Sequence, residues 1–188
     1  MAQPAKPLRA DAARNRARVL ETAYQTFAAE GLSVPIDEIA RRAGVGAGTV
    51  YRHFPTKEDL FRAVVDSRIR RIITEGRALL DQPGPGEALF AFLRSMVLDW
   101  GATDQGLVEA LAGLGIDVDS VAPDADAAFR GLLAELLTAA QQAGTVRSDV
   151  DVAEIKTLMV GCQAMQGYDK SRAERVTGVV IDGLRAPA

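Results

Sequence analysis

The amino-acid sequence predicts an all-α protein of about nine helices, and both its composition and its residue spacing support this fold class. Hydrophobic residues make up 48% of the 188 residues, which is enough for a core, but aromatic residues make up only 5%. Ala and Leu are abundant and no run of alternating β-branched residues is present, so helices are favoured over strands. Thr145-Val146 is the one short candidate strand, and we interpret it as a loop.

Residues 1–11 precede the first predicted helix and are rich in Ala and Pro, so we expect a flexible arm there. They lack the apolar run of a signal peptide, and the longest charge-free helical run, residues 157–168, is too short to span a bilayer. The single cysteine, Cys162, excludes an intrachain disulfide and suits a reducing compartment. We therefore expect a cytoplasmic protein without a membrane partner.

A first helix is predicted over residues 12–30, because its apolar residues form one stripe and Gly31 follows as a C-terminal cap. The stripe consists of Val19, Leu20, Ala23, Phe27 and Ala28. Arg14, Arg16 and Arg18 cluster at the start of this helix, where positive charge opposes the helix dipole. These arginines either contact phosphate groups or are simply solvated, and the sequence leaves both readings open.

Residues 36–61 predict a helix, a tight turn and a second, short helix. Apolar residues at helical spacing (Ile36, Ile39, Ala40 and Ala43) are interrupted by Gly44-Val45-Gly46, and Val50 and Phe54 then reopen an apolar face. Pro35 fits at or near the first position of the second helix of the chain, the one that contains Ile36, since its missing N–H costs nothing there. Gly44 can adopt the positive φ with which the chain starts a second helix at a steep angle. This is the helix-turn-helix pattern, with residues 47–53 as the second helix.

A long helix is predicted over residues 57–80. Thr56 can cap its N-terminus, and Asp59 three residues later completes a capping box. The Pro- and Gly-rich segment 82–86 stops it, because Pro cannot continue the hydrogen-bond ladder. We expect this helix to pack on both sides, so we place the domain boundary within it.

Five further helices are predicted over residues 87–102, 105–114, 125–143, 152–167 and 172–184. The first of them is apolar nearly all round, which indicates a central position in a core. Gly144 caps the third. Acidic residues alternate before and at the start of the helix over 125–143: Asp117, Asp119, Asp124 and Asp126. They lack the spacing of a calcium loop, so we expect their side chains to be solvated.

The charges are divided unevenly between the two parts of the chain. The net charge is −3, yet residues 1–80 carry 14 Lys and Arg against 9 Asp and Glu, and residues 81–188 carry 8 against 16. A basic part joined to an acidic part fits a nucleic-acid-facing module combined with a module of another role. No enzyme, metal site or cofactor is indicated, because His53 and Cys162 are each the only residue of their type and no phosphate-loop pattern is present.

The string from Arg16 to Phe61 resembles the N-terminal DNA-binding domain of the TetR family of transcriptional regulators. The residues that carry this resemblance are Ala23, Phe27, Gly31, Ile39-Ala40, Ala43-Gly44-Val45, Gly48-Thr49, Val50-Tyr51, His53-Phe54 and Lys57-Glu58. It covers about the first third of the chain and is specific, because many positions agree at fixed spacing. It implies a helix-turn-helix DNA-binding domain over residues 12–60 and a helical domain for effector binding and dimerisation over residues 61–188.

The resemblance also implies which residues face double-stranded operator DNA, because the short helix enters the major groove in proteins with this motif. They are Gly46, Ala47, Gly48, Thr49, Tyr51, Arg52 and His53, together with Arg16 and Lys57. Arg52 is the candidate for reading a guanine, whereas Tyr51, Thr49, His53 and Lys57 are candidates for phosphate contacts. Packing of Tyr51 against the first helix is the alternative. Family members often carry Ser and Lys where this chain has Gly46 and Ala47, and Thr or Ser near Pro35.

A homodimer is expected, because one short recognition helix reads too few bases and a two-fold dimer reads a palindrome. The resemblance places its interface on the last two helices, with part of the following set belonging instead to the intrachain core. The candidates are Leu158, Cys162, Met165, Val176, Val179, Val180 and Leu184.

An effector pocket is expected in the C-terminal part, lined by Phe92, Met96, Trp100 and Phe129. The pattern of these residues alone favours plain core, and the resemblance favours a small-molecule pocket. The sequence therefore predicts a ligand-responsive transcriptional regulator of the repressor type. The alternative is a helical small-molecule binding protein without DNA-binding activity.

Overall fold

The structure is a computed structural model that describes residues 6–82, 84–100 and 123–187. These residues form eight α-helices and no strand, which confirms the all-α prediction. The helices are α1 (Lys6–Glu30), α2 (Ile36–Arg42), α3 (Ala47–His53), α4 (Lys57–Leu80), α5 (Ala88–Arg94), α6 (Pro123–Gln142), α7 (Val152–Tyr168) and α8 (Lys170–Leu184). The predicted helix over 105–114 lies outside the described residues, as do Asp117 and Asp119. Among the described helices, none has the length and apolar character needed to cross a membrane.

The chain divides into two compact units, and the division falls within α4, between Arg68 and Ile69. Of the described residues, 6–68 form the first unit. The second unit contains residues 69–82, 84–100 and 123–187. Helix α4 therefore supplies its first half to one core and its second half to the other.

The first unit is a three-helix arrangement of α1, α2 and α3, closed by the N-terminal half of α4. Its core residues are Val19, Leu20, Ala23, Phe27, Val34, Ile36, Ile39, Ala40, Ala43, Val50, Phe54, Leu60, Phe61, Val64 and Val65. The rings of Phe27 and Phe61 lie at the centre, with centroids 5.8 Å apart in an edge-to-face arrangement. The apolar stripes predicted from helical spacing thus meet in one core.

The second unit packs the C-terminal half of α4 and helices α5 to α8 around another core. Gly76 of α4 is required at a close helix crossing. A Cβ atom at this position would lie 2.6 Å from Cδ2 of Leu132 and 2.9 Å from Cε2 of Phe92. Both of those side chains are buried, so only a residue without a Cβ lets α4 approach α5 and α6 this closely.

Three helix ends adopt the glycine-terminated geometry that the sequence predicted. Gly31 has φ +72°, Gly44 has φ +64° and Gly144 has φ +70°. After α2, the N–H of Val45 donates to the carbonyl of Ala40 at 3.0 Å and the N–H of Gly44 to that of Arg41 at 3.1 Å. This pair of hydrogen bonds is the Schellman motif, which satisfies carbonyls at the helix end and turns the chain towards α3.

Helix α1 begins at Lys6 rather than at residue 12, so the predicted arm is wrong for residues 6–11. Pro7 lies in the first turn, where the absence of an N–H removes no helical hydrogen bond. The alanines that follow are strong helix formers. Helix propensity therefore prevails over the Ala- and Pro-rich composition that suggested an arm.

The predicted helix over 87–102 is described as far as residue 100, and that part is not one continuous α-helix. A 3-10 turn, Pro85–Glu87, leads into α5, and residues Ser95–Trp100 continue as a π-helix. In the π-helical segment, the carbonyl of Met96 accepts a hydrogen bond from Nε2 of Gln163 on α7 at 3.2 Å. The sequence did not predict this change of helix type.

The expectation of solvated acidic side chains before α6 is wrong for Asp126. Helix α6 begins at Pro123, so Asp126 lies in its first turn, and its side chain is buried. The Asp126 carboxylate accepts from Nε of Arg130 and from Nζ of Lys156, each at 2.6 Å. Asp124 is exposed, as expected.

The C-terminal residues close the second unit through a group of contacts that we call the C-terminal clasp, formed by Glu87, Phe90, residues 145–147 and residues 184–186. Val146 and Arg185 form an isolated antiparallel bridge. The N–H of Arg147 donates to the carbonyl of Leu184, and the N–H of Ala186 to that of Thr145, both at 3.0 Å. The guanidinium of Arg185 lies 4.3 Å from the Phe90 ring centroid and donates to Glu87 at 3.1 Å.

Candidate nucleic-acid interface

Helix α3 is held by its inward face and presents its other face to solvent. Val50 is 1% exposed and Phe54, which follows the last turn, is 3% exposed. The carbonyl of Gly46 accepts the first helical hydrogen bond, from the N–H of Thr49, at 2.8 Å. Because one apolar residue per turn anchors a helix of seven residues, the remaining positions are free to meet a partner.

The structure places the predicted DNA-facing residues of α3 at the surface. Gly46, Gly48, Tyr51, Arg52 and His53 are exposed, and Ala47 and Thr49 are half-buried. The Tyr51 side chain is 43% exposed. That degree of exposure argues against the alternative in which Tyr51 packs against α1.

The arginines of α2 are neutralised by a network of ion pairs. Arg41 and Arg42 both donate to Glu38 at 2.7 Å, and Arg42 also reaches Glu30 at the end of α1, at 3.2 Å through one nitrogen. The hydrogen bonds from Arg41 and then Arg42 lower the pKa of Glu38 to about 2. The acidic partners thus balance much of the positive charge on α2.

The cations around α3 differ from those of α2. Within the described part of the chain, Arg52, Arg16 and Lys57 form no ion pair with an acidic side chain. Positive charge without a counter-charge on the protein is available to an anionic partner such as a phosphate backbone. Uncompensated positive charge is therefore present on and beside the exposed face of α3.

Lys57 lies at the first position of α4, next to the predicted capping box. The N–H of Asp59 donates to Oγ1 of Thr56, and the N–H of Thr56 donates to Oδ2 of Asp59, both at 3.1 Å. The box satisfies helix-terminal donors and fixes the entry of the chain into α4. It therefore sets the position of Lys57 relative to the end of α3.

Arg16 of α1 reaches the C-terminal end of α3 through Phe54. Its guanidinium carbon lies 5.5 Å from the centroid of the Phe54 ring. The ring of His53 lies 6.1 Å from the same ring, inclined by 50°. Arg16 of α1 and His53 of α3 thus meet around one aromatic side chain, and helical spacing within either helix could not reveal this arrangement.

The predicted interface residues on α7 and α8 separate into two groups. Leu158 and Val179 are exposed, by 38% and 61%, and Met165, Val176 and Val180 are half-buried. Cys162 and Leu184 are buried within the unit's own core, which is the alternative that the sequence left open. Burial raises the pKa of the Cys162 thiol, with a smaller opposing effect of the Thr177 hydroxyl. Val160, which the sequence analysis did not single out, is 52% exposed.

The predicted effector-pocket residues lie in the core of the second unit as far as they are described. Phe92, Met96 and Phe129 are buried, and the rings of Phe92 and Phe129 lie 6.1 Å apart. The side chain of Trp100 lies outside the described part of the structure. All three described residues belong to the core of the second unit, and Phe92 also lies at the helix crossing at Gly76, where an added Cβ atom would lie 2.9 Å from its Cε2.

An all-helical first unit with an exposed, unpaired cationic helix after a tight turn defines a helix-turn-helix protein. Residues 19–64 match the bacterial regulatory proteins of the tetR family, and residues 84–186 match the C-terminal domain of SbtR-like transcriptional regulators. The chain belongs to the TetR family of transcriptional regulators.

Solved structures and sequence relatives agree with this assignment. A TetR transcription regulatory protein from Mycobacterium vanbaalenii is 63% identical, with a TM-score of 0.79, over 96% of this chain and 100% of that one. A TetR transcriptional regulator from Streptomyces coelicolor is 33% identical, with a TM-score of 0.74, over 92% and 99%. An HTH-type transcriptional regulator of Staphylococcus aureus is 37% identical over 75 residues, so the match spans 40% of that relative's length.

Proposed function

We propose that this protein is a ligand-responsive repressor of transcription that binds palindromic operator DNA as a homodimer and is released by a small-molecule effector. In this proposal residues 12–60 bind DNA, and residues 61–188 bind the effector and form the dimer. Family membership supports the class of function. The particular roles rest on the placement of individual side chains.

The unpaired cations around α3 are the observation that carries the DNA-binding part of the proposal. Arg52 is exposed on α3, and its planar guanidinium can donate two hydrogen bonds to O6 and N7 of guanine. Tyr51, Thr49, His53 and Lys57 surround it with groups suited to phosphate oxygens. Arg41 and Arg42 differ in having carboxylate partners, so we assign them no role in reading the operator.

Selection of binding sites from a random DNA pool, followed by variant analysis, tests this proposal. Lys57→Ala is expected to weaken binding to all sequences about equally and to lower the salt slope by about one unit, because one phosphate contact is lost. Arg52→Ala is expected to cost about 1–3 kcal/mol, mainly at one base pair of the selected site.

Arg71→Ala is the matched control, because it removes an exposed arginine that pairs with Glu75 in the second unit. It is expected to leave the DNA affinity unchanged. Equal effects of Arg52→Ala on selected and random DNA would contradict the role of Arg52.

The exposed apolar residues of α7 and α8 support the homodimer. Leu158, Val160 and Val179 are large hydrophobic side chains that remain 38–61% exposed in the protomer. A contiguous exposed apolar patch marks a surface that a partner can cover, and we propose that these residues of two neighbouring helices form one. A second copy is the partner we propose, because two recognition helices related by two-fold symmetry match a palindrome.

The effector part of the proposal rests on Phe92, Met96 and Phe129. Phe92 lies at the crossing of α4 with α5 and α6, and Met96 and Phe129 belong to the same core, so a weakly polar ligand inserted among these side chains would displace α4. A ligand that releases operator DNA must bind the DNA-incompetent state better, and a tenfold preference shifts the equilibrium by about 1.4 kcal/mol. Met96→Ala is expected to alter release by such a ligand, and an unchanged response would exclude this pocket.

One departure from the family pattern favours a second candidate, a helical small-molecule binding protein without DNA-binding activity. Gly46 and Ala47 stand where family members often carry Ser and Lys, so two side-chain contacts to DNA are lost. Recovery of no sequence from the random pool by the wild-type protein would favour this second candidate.

A further inference from the structure

We propose that Phe54 is a positioning residue for DNA binding: its ring holds the guanidinium of Arg16 beside the C-terminal end of α3, where Arg16 binds a backbone phosphate. This inference rests on the proposed DNA-binding function and extends it to a residue that itself contacts no DNA. It also gives α1 a defined contact with the DNA strand that α3 approaches.

The position of the Phe54 ring is fixed by the fold. Phe54 is 3% exposed, and its N–H donates to the carbonyl of Val50 at 2.8 Å, so its backbone closes the last turn of α3. A buried ring anchored in this way cannot follow the motion of a surface side chain. Arg16, whose guanidinium carbon is 5.5 Å from the ring centroid, is therefore held in place by α3 as well as by α1.

The other two arginines at the start of α1 already have partners. Arg14 forms an ion pair with Asp11, and Arg18 donates to Oδ1 of Asn15 at 3.0 Å. Arg16 forms no ion pair among the residues that the structure describes. The structure thus separates three arginines that the sequence could not distinguish: Arg14 has an acidic partner, Arg18 has a neutral amide partner, and Arg16 lies beside an aromatic ring with its charge uncompensated.

Stacking on an aromatic face suits a phosphate-binding arginine. The ring attracts the flat face of the guanidinium, while the N–H donors point outwards from the edge of its plane. Lys carries the same charge but lacks this planar group, so it cannot be held in the same orientation. Arg16 can therefore be preorganised for a phosphate oxygen, and the ring lowers the entropy lost on binding.

Three variants test whether Arg16 binds a phosphate or only covers the Phe54 ring from solvent. Arg16→Ala is expected to lower the affinity for selected and random DNA alike and to reduce the salt slope by about one unit. Arg16→Lys is expected to keep the salt slope but to weaken binding about two- to fivefold, because the charge remains and the stacking is lost. Arg14→Ala, the matched control, is expected to change neither quantity, because Asp11 already neutralises that charge.

Variants of Phe54 test the positioning step. Phe54→Leu is expected to weaken binding by the same factor as Arg16→Lys without changing the salt slope, and Phe54→Tyr is expected to retain wild-type affinity. The double variant Arg16→Lys with Phe54→Leu is expected to bind no more weakly than either single variant, because both remove one interaction. If Phe54→Leu does not fold, Arg16→Lys decides alone.

Several results would overturn the inference. An unchanged salt slope in Arg16→Ala would exclude the phosphate contact, and wild-type affinity in Arg16→Lys would exclude the stacking. Additive losses in the double variant would show that Phe54 and Arg16 act independently. A wild-type protein that selects no sequence from the random pool would instead contradict the proposed DNA-binding function itself.

Discussion

Asp126 is the residue whose environment differs most from its expected one. Its carboxylate is buried in the first turn of α6 and accepts hydrogen bonds from Lys156 and Arg130. Burial raises its pKa, but the hydrogen bonds from the two cations outweigh that effect, so the pKa of Asp126 is lowered overall. The folded protein therefore favours the ionised carboxylate.

Removal of this buried charge is expected to destabilise the second unit strongly. Asp126→Asn should lower the free energy of unfolding by about 1–3 kcal/mol, because the neutral amide loses the charge-assisted hydrogen bonds from Lys156 and Arg130. Urea denaturation measures this loss. Asp124→Asn is the matched control, since Asp124 is exposed in the same turn, and it is expected to change stability little. Equal stability of the two variants would contradict this account.

The ion pairs of Asp126 also make the free energy of unfolding depend on pH in the acid range. Because the pKa of Asp126 is lower in the folded than in the unfolded state, its stabilising contribution is complete above the unfolded value of about 3.9. The contribution is lost as the pH falls from there through the lower, folded pKa. Urea denaturation between pH 5 and 2, repeated in Asp126→Asn, is expected to show a smaller loss of stability with acid in the variant.

At the scale of helices, Gly76 sets how closely α4 approaches its neighbours. Gly76→Ala is expected to reduce stability by about 1–3 kcal/mol, because the added methyl group strikes Leu132 and Phe92 in a packed core. Gly131→Ala is the control: no atom lies within 4 Å of its added Cβ, and it is expected to gain up to about 1 kcal/mol from helix propensity. Urea denaturation of both variants measures this difference in sign, and a stabilised Gly76→Ala would contradict the proposed crossing.

The helices that sequence analysis predicted best are those whose ends are determined locally. The Thr56–Asp59 capping box and the positive φ of Gly44 involve residues within one turn, so their spacing predicted α3 and α4 with the observed bounds. The helical start of α1 was missed, because composition suggested an arm where propensity supports a helix.

Interactions between distant parts of the chain could not be predicted in this way. The pairing of Asp126 with Lys156, the π-helical segment after α5 and the contact of Arg16 with the Phe54 ring all depend on which helices become neighbours. No pattern within a single helix contains that information. For the candidate site, the resemblance supplied the DNA-facing residues, and the structure distinguished Arg16 from Arg14 and Arg18.

At the scale of the whole molecule, the proposed dimer predicts a clear effect of charge on α8. Val179→Arg is expected to yield single chains in analytical ultracentrifugation, because it places a charge in the proposed interface. The folded protomer should tolerate it, since Val179 is 61% exposed. Thr138→Arg, at an exposed position of α6, is expected to leave the dimer intact. A dimeric Val179→Arg protein would place the interface elsewhere.

The C-terminal clasp has a consequence for the order in which the second unit folds. The ion pair between Arg185 and Glu87 joins residues 98 positions apart in the sequence, so a long loop of chain must be closed before it forms. Such contacts are expected to be absent from the folding transition state and present only in the final structure. Arg185→Ala should therefore leave the refolding rate nearly unchanged and accelerate unfolding in stopped-flow experiments. The clasp would then provide kinetic stability: it would slow unfolding, and so lengthen the lifetime of the native state, without changing the folding rate.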